Sequence, residues 1–171
     1  MLKSKVKKDT NVFGNEGGIV MARAPYNVHV FLYRITENGS REYAILRRSD
    51  DERWQGICGG GEDGETIDES ALREANEEAG LPGSNILYKL DSVSYIPAIE
   101  FKASEYWAKD IIVIPMYYFG TLYNGNITLS NEHSEYKWCN FNEARNLIYW
   151  HDQKNALWEL NERLERGLLV R

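Results

Sequence analysis

The chain has 171 residues, the length of one domain, and its 43% hydrophobic and 12% aromatic content is enough for a buried core, which excludes intrinsic disorder. No apolar run reaches the roughly 18–20 residues that cross a bilayer, and none follows the basic residues 3–8 as in a signal peptide, so we expect no membrane partner. Cys58 and Cys139 form no disulfide framework. We therefore expect a cytoplasmic protein.

The net charge of −6 comes from one short segment. Residues 62–78 contain eight carboxylates and one arginine, a net charge of −7, whereas the rest of the chain carries 19 bases and 18 acids. An acidic chain is a poor general binder of nucleic acid, so we expect no such partner. The acidic excess therefore indicates a functional site within residues 62–78 and not a property of the whole surface.

The N-terminal part of the chain changes character near residue 25. Residues 1–24 are basic and then rich in glycine, which predicts a tail or an added edge strand, and residues 25–171 are predicted to form a single domain. From Asn27 the alternation of side chains predicts a strand. Asn38-Gly39 predicts a hairpin turn, followed by a return strand from Tyr43 to Leu46.

A helix is predicted over residues 67–79. Thr66 and Glu69 have the spacing of a capping box, and Gly80 followed by Pro82 supplies a stop. Because strands and helices are interspersed, we predict an α/β (α+β) fold, with a sheet covered by helices on both faces. The remaining predicted elements are strands over residues 86–96, 111–123 and 136–138 and helices over residues 140–149 and 153–166.

The acidic side of this helix predicts a metal site. Glu74, Glu77 and Glu78 lie within about one third of its circumference, where like charges repel. A solvated acidic face is the ordinary interpretation, but the usual interspersed lysines are missing, and Arg73 is placed to pair with Glu69 and Glu77 at i±4. A hard divalent cation would relieve the repulsion, and carboxylate oxygens suit magnesium or manganese.

Three familiar loop motifs do not fit the glycine-rich segment before the helix. The lysine position of a P-loop is held by Glu65, whose charge would repel phosphate. A calcium-binding loop with Gly64 as its turn glycine would place Gly59 and Ser70 at ligand positions. The segment also lacks the glycine spacing of a dinucleotide-binding loop.

One pattern fits throughout. Gly59, five residues, Glu65, seven residues and then the sequence REANEEAGL from Arg73 resemble the Nudix box, with Ala75 as the one soft departure. The resemblance implies a Nudix hydrolase of the MutT-like kind, with an α/β/α sandwich, a central mixed sheet and a catalytic loop–helix–loop.

The same resemblance implies roles for the box residues. Glu74, Glu77 and Glu78 would bind Mg²⁺ (or Mn²⁺), one of them could also be the base, and a backbone carbonyl of Gly59 could add a ligand. Glu65 and Arg73 would form the supporting salt-bridge network. Such cations would screen the charge of a diphosphate and lower the pKa of a bound water.

The flanking segments indicate a subgroup. RRSDDERWQ from Arg47, EHSEYKW from Glu132 and YWHDQKNA from Tyr149 resemble the dATP or dihydroneopterin triphosphate pyrophosphohydrolases. The second segment is shared with asymmetrical diadenosine tetraphosphate hydrolases. The loop from Ile57 to Gly61 lacks the proline and lysine usual in the latter group, which favours the former.

Residues outside the box are candidates for catalysis and substrate binding. Glu132 is the first candidate for a further metal ligand or base, with Glu135 second, although an exposed carboxylate is the ordinary interpretation of each. The candidates for stacking on a base or pterin, or for contacting phosphate, are Trp54, Trp138, Trp150, Arg48 and Lys154.

The sequence therefore predicts a metal-dependent pyrophosphohydrolase with a nucleotide or pterin triphosphate as its small-molecule substrate. Alternatives are an asymmetrical diadenosine polyphosphate hydrolase, a nucleoside diphosphate-X hydrolase and, in another class, a non-catalytic nucleotide sensor. The intact box disfavours the sensor. The sequence does not determine the oligomeric state. A homodimer is one alternative, since the residues before Ala24 could exchange onto a second copy of the chain.

Overall fold

The computed structural model describes residues 22–169. Within that range the chain forms seven strands, three α-helices and two 3₁₀ turns. Their bounds are β1 Arg23–Ile35, β2 Arg41–Arg48, β3 Trp54–Gln55, β4 Ile57–Glu62, α1 Ile67–Ala79, β5 Tyr88–Pro97, 3₁₀ turns Ala98–Glu100 and Lys102–Tyr106, β6 Val113–Leu122, β7 His133–Cys139, α2 Phe141–Leu147 and α3 His151–Glu165.

All seven strands belong to one mixed sheet. The order is β3-β2-β1-β6-β5, with β4 paired to β1 and β7 paired to β2. β1 runs parallel to β6 and antiparallel to β2 and β4. β1 thus lies inside the sheet, which explains why both of its faces are apolar.

Two cores lie on the two faces of the sheet. On one face Val28, Val30 and Leu32 of β1 pack with the alanines of α1. On the other face Phe31 and Tyr33 pack with α2 and α3. The predicted α+β sandwich with a central mixed sheet is therefore confirmed.

Helix α1 has the predicted bounds because its end signals are local. Thr66 and Glu69 form both hydrogen bonds of the capping box, and Gly80 adopts the left-handed conformation with φ 71°. The predicted box of Asn140 and Glu143 likewise caps α2. The starts of α1 and α2 can therefore be predicted from their capping residues.

The other predicted elements agree with the structure within a few residues, except at the N-terminus and at the glycine-rich segment. That segment, expected to be a loop, forms β4 because it pairs with β1, and β3 was not predicted either. Residues 1–21 of the predicted tail lie outside the described residues, while Arg23 and Ala24 already belong to β1. The predicted boundary at residue 25 thus falls inside an inner strand. The two 3₁₀ turns were not predicted. None of the helices within residues 22–169 is long and apolar enough to cross a membrane.

A register shift in β5 is held by a carboxylate from α3. The pairing of β5 with β6 shifts between Lys89 and Val93. Glu159 accepts hydrogen bonds from the backbone N–H groups of Asp91 and Ser92, both at 2.7 Å, and from Arg163 at 2.7 Å. Burial alone would raise the pKa of Glu159, but these donors outweigh it, and the pKa lies below its usual value.

We expect Glu159→Gln to destabilise the protein by about 1–3 kcal/mol at pH 7, because two backbone donors lose a charged acceptor. Glu162→Gln, the matched control, breaks the pair with Arg166 on the solvent side of α3 and should cost under about 0.5 kcal/mol. Urea unfolding measures both. Because the folded-state pKa of Glu159 is lowered, its contribution is present above the usual glutamate pKa and is lost as the pH falls below it. Equal losses for the two variants would contradict the assignment.

Candidate active site

Three successive glycines of β4 receive side chains from three different places. A Cβ on Gly59 would lie 1.9 Å from the carboxylate carbon of Glu74, and a Cβ on Gly60 would lie 2.0 Å from Nη1 of Arg23. A Cβ on Gly61 would lie 2.1 Å from the ring of Tyr26. A side chain at any of these three positions would overlap Glu74, Arg23 or Tyr26, so only glycine leaves room for them.

Arg73 joins the loop, the strand and the helix. Its Nε and Nη2 donate to the two carboxylate oxygens of Glu65 at 2.8 and 3.0 Å, and Nη2 also donates to the carbonyl of Gly60 at 2.8 Å. Its Nη1 donates to Glu74 at 2.8 Å and to Glu77 at 3.4 Å. The Arg73 guanidinium holds the pKa of Glu65 at about 2.

The structure corrects one predicted pair. We expected Arg73 to pair with both Glu69 and Glu77. Only the contact with Glu77 forms, because the carboxylate of Glu69 accepts from the backbone N–H and hydroxyl of Thr66, at 2.7 and 2.8 Å. The second partner is Glu65, which the loop brings to the guanidinium.

Glu74 and Glu78 face β4 from successive turns of α1. Glu78 is 4% exposed and accepts from the backbone N–H of Cys58 at 3.3 Å. Burial, followed by the nearby charge of Glu74, raises the pKa of Glu78 well above its usual value. Burial also raises the pKa of Glu74, against the opposing effect of Arg73. These are two carboxylates that lack full compensation for their burial.

Two loops bring further predicted residues to Glu78. The backbone N–H of Ser49 donates to the carbonyl of Glu132 at 2.8 Å, and the charge of Glu132 adds to the rise in the pKa of Glu78. The charge of Arg48 acts in the opposite direction. His133, to which the sequence assigned no role, lies with Nδ1 3.8 Å from the Glu78 carboxylate. Its place beside Glu132 in the EHSEYKW segment was the available signal.

Arg48 is already held by acidic neighbours. Its Nε and Nη2 donate to the two oxygens of Asp50 at 2.9 and 2.8 Å, and Asp51 lies 3.6 Å away. A phosphate would have to compete with these carboxylates for the guanidinium.

The donor atoms fit a hard divalent cation, although less tightly than predicted. Glu77 is 56% exposed in its side chain and shares Nη1 of Arg73 with Glu74, at the solvent side of the site. Among residues 22–169 no group of three His, Cys, Asp or Glu side chains gathers about one point. The fit rests on Glu78, which is buried, and on Glu74, whose side chain is 12% exposed. Their carboxylate oxygens are the kind of ligand that Mg²⁺ prefers, and a cation would compensate their charge.

The register of β4 changes the predicted backbone ligand. The N–H of Cys58 and the carbonyl of Gly60 point to side chains of α1, away from β1. In an antiparallel ladder successive residues alternate in direction, so Gly59 directs its carbonyl to Val28 of β1. The carbonyls at the open edge are those of Cys58 and Gly60.

The predicted aromatic residues do not share one surface. Trp54 packs with the core under α2 and α3 and carries Lys137 on its ring, whereas Trp138 packs on the α1 face beneath Arg34. Trp138 pairs with Ala44, which pairs with Leu32, four residues along β1 from Val28. Because Gly59 pairs with Val28, Trp138 is separated from it by roughly 13 Å along the strands and by the strands in between.

The last two candidates are on α3 or next to it. Lys154 lies in the first turn of α3, on the opposite face of the sheet from α1. Trp150 precedes that helix and is 43% exposed, with Arg53 5.1 Å from its ring centroid.

The comparisons with known proteins identify the family. The model of the NUDIX domain matches residues 25–159. The chain belongs to the Nudix family. It is 29% identical over 128 residues to the asymmetrical bis(5′-nucleosyl)-tetraphosphatase of Mus musculus, which covers 72% of this chain and 80% of that protein.

Two solved structures extend the Nudix assignment to the fold. A Listeria monocytogenes protein described as a NUDIX hydrolase is 37% identical with a TM-score of 0.77, over 86% of this chain and 99% of that chain. The Escherichia coli dihydroneopterin triphosphate pyrophosphohydrolase is 22% identical with a TM-score of 0.65, over 82% of this chain and 99% of that chain. This Nudix chain is thus a hydrolase of phosphoric anhydride bonds.

We expect Glu65→Gln to lower the free energy of unfolding by about 1–3 kcal/mol, because Nε and Nη2 of Arg73 would both lose a charged acceptor. Glu52→Gln is the control: it removes an Arg47 partner whose side chain is 76% exposed and should cost under about 0.5 kcal/mol. With its pKa at about 2 in the folded protein, Glu65 stabilises fully above the usual glutamate pKa and loses this effect as the pH falls toward 2. Urea titrations from pH 7 to pH 3 measure this; a constant difference between wild type and Glu65→Gln would contradict it.

Proposed function

We propose that this Nudix chain is a Mg²⁺-dependent (or Mn²⁺-dependent) pyrophosphohydrolase that cleaves a diphosphate linkage of a nucleoside triphosphate-like substrate, of the dATP or dihydroneopterin triphosphate class. The observation that carries the proposal is the buried pair Glu74 and Glu78 against the glycine strand. A buried pair of carboxylates is costly unless a cation compensates it. We place the protein in the cytoplasm, in keeping with its free thiols at Cys58 and Cys139.

The residues that would hold the cation are Glu74 and Glu78, with Glu77 at the rim and the Cys58 carbonyl as the backbone oxygen in place of Gly59. A bound divalent cation offsets the anionic charge of the diphosphate and makes water easier to deprotonate. Arg73 holds Glu74 against β4 through Nη1, so that the carboxylate is oriented before any ligand arrives.

Glu132 is the carboxylate we assign to take the proton of the attacking water. Its backbone carbonyl is fixed by Ser49, and its charge acts on Glu78, so it stands at the edge of the buried pair. An exposed carboxylate at this place can receive a proton from the attacking water and pass it on to solvent. Glu78, with its raised pKa, is the second candidate for this role.

A dinucleoside polyphosphate is the second candidate substrate. Its support is the 29% identity to a bis(5′-nucleosyl)-tetraphosphatase over 80% of that protein. Both candidates require the same metal site and differ in what lies beyond the cleaved bond. Specificity thus depends on the surrounding loops.

A substrate panel tests the proposal. Purified protein with Mg²⁺ is incubated with dATP, dihydroneopterin triphosphate, diadenosine tetraphosphate and ADP-ribose, and the products are identified. We expect pyrophosphate from a triphosphate, and ATP with AMP would instead favour the dinucleotide. Glu78→Gln should lower kcat at least about 100-fold, while Glu42→Gln, which loses an ion pair with Arg34 far along β1, should stay within about twofold. Binding without turnover of any compound would favour the sensor.

Gly59→Ala tests whether the contact between strand and carboxylate matters. Its Cβ would overlap the Glu74 carboxylate, so we expect kcat/KM to fall about 100-fold, since a displacement near 1 Å can cost that much. Gly83→Ala is the matched control, because a Cβ at Gly83 would meet nothing within 4 Å. Steady-state kinetics on the best substrate of the panel measures both. Full activity of Gly59→Ala would remove Glu74 from the proposed site.

A further inference from the structure

The carboxylate of Glu65 accepts hydrogen bonds from three other residues. Its Oε2 accepts from Nη2 of Arg73 at 3.0 Å, from the hydroxyl of Ser70 at 2.6 Å and from the backbone N–H of Glu62 at 3.1 Å. Its Oε1 accepts from Nε of Arg73 at 2.8 Å. Ser70 is fully buried on the inner side of α1. Two donors besides the guanidinium therefore fix the direction of this carboxylate.

Tyr26 on β1 extends this hydrogen bonding to the sheet. Its hydroxyl oxygen lies 2.8 Å from Oγ of Ser70 and 3.3 Å from the backbone carbonyl oxygen of Glu65. With its pKa at about 2, Glu65 is ionised at neutral pH and only accepts, so Ser70 donates its one hydroxyl hydrogen to the carboxylate. The hydroxyl of Tyr26 is then the donor to Ser70. The three groups form a directed series from Tyr26 through Ser70 to the carboxylate of Glu65.

Packing holds the ring of Tyr26 in place. The ring lies over Gly61 of β4, where an added Cβ would be 2.1 Å from it. It also meets the ring of Tyr117 on β6 edge-on, with 6.3 Å between the centroids, and packs against the core on the α1 face of the sheet. The hydroxyl at the end of this rigid ring therefore has a position that the sheet determines.

A fixed Glu65 determines where Arg73 directs its remaining donor. Nε and Nη2 of the planar guanidinium both bond to Glu65, so the plane is set, and Nη1 meets Glu74 at 2.8 Å. If the carboxylate of Glu65 turned, the guanidinium would turn with it and Glu74 would lose its orientation. A metal ligand that is oriented in advance loses less conformational freedom when it binds its cation.

We propose that Tyr26 and Ser70 are positioning residues for the metal ligand Glu74. They act through Glu65 and Arg73 and not by contact with the cation or the substrate. This inference rests on the proposed function for the role of Glu74. Neither residue is one of the defined positions of the Nudix box. The support of the acidic pair therefore extends from the box through α1 to the sheet.

Calorimetry of Mg²⁺ binding to the substrate-free protein tests the proposal. Tyr26→Phe removes one hydroxyl and keeps the ring, and Ser70→Ala removes the next hydroxyl of the series. Each variant should bind Mg²⁺ about 3- to 10-fold more weakly than the wild type, the effect expected for one hydrogen bond. The double variant should bind about as weakly as Ser70→Ala alone, because Tyr26 acts through Ser70. Losses that multiply in the double variant would contradict the series.

Tyr43→Phe is the matched control. Tyr43 also uses its hydroxyl for a hydrogen bond of 2.8 Å, but the acceptor is the side-chain oxygen of Asn161 on α3, on the other face of the sheet. This variant should lose stability like Tyr26→Phe and keep the Mg²⁺ affinity of the wild type. Wild-type affinity in both Tyr26→Phe and Ser70→Ala, or an equal loss in Tyr43→Phe, would overturn the proposal.

A second measurement needs no metal. In the presence of EDTA, the Nε–H of Arg73 is followed by NMR, and its signal is identified by its absence from Arg73→Lys. Its hydrogen exchange with water should be slow in the wild type, because it donates to Glu65 at 2.8 Å. Exchange should be at least about 10-fold faster in Tyr26→Phe and unchanged in Tyr43→Phe.

The two measurements separate this inference from the proposed function. If the wild type binds no Mg²⁺ and hydrolyses no compound of the panel, while exchange at Arg73 rises in Tyr26→Phe, the proposed function fails and the positioning of Arg73 stands. If the wild type binds Mg²⁺ and hydrolyses a substrate, while Tyr26→Phe changes neither Mg²⁺ affinity nor exchange, the role of Tyr26 fails and the proposed function stands.

Discussion

The guanidinium of Arg73 is the interaction on which the site depends. It bonds at once to Glu65 in the loop, to Glu74 on its own helix and to the carbonyl of Gly60 on the strand. Without this cation, Glu65 and Glu74 would repel each other in a partly buried place. With it, the loop closes on the helix and Glu74 is directed at β4. The remaining acidic residue of the pair, Glu78, is left to be compensated by other means.

That remaining charge is the reason why we propose a metal site and not a self-sufficient ion-pair network. Burial raises the pKa of Glu78, and the charges of Glu74 and Glu132 raise it further. A folded protein keeps such a group only where something offsets its cost. The salt bridge between Arg34 and Glu42, by contrast, matches one base to one acid. The cluster at α1 has a surplus of acid, as the segment 62–78 has in the sequence.

The sequence predicted what depends on neighbours in the chain. The bounds of α1 followed from Thr66, Glu69 and Gly80, and the family followed from the Nudix box. The pairing of Arg73 with Glu65 could not be predicted from helix geometry, because it depends on how the loop folds back. Trp54 and Trp138 could not be assigned to opposite faces, because that depends on the register of β2 with β3 and β7. The direction of the Gly59 carbonyl likewise depends on the register of β4 with β1.

The place of Arg23 shows the same limit most clearly. Composition set it apart from the domain, in a basic segment that precedes the first alternating residues. Strand pairing gives it a different position: β1 begins at Arg23, opposite Glu62, and four residues later reaches Asn27, opposite Gly60. The glycine there leaves the space that the arginine occupies. A side chain remote from the Nudix box in sequence thus contacts Gly60, the middle one of the three glycines of β4. The acidic segment therefore has a cation beside it that comes from a part of the chain whose composition suggested no relation to it.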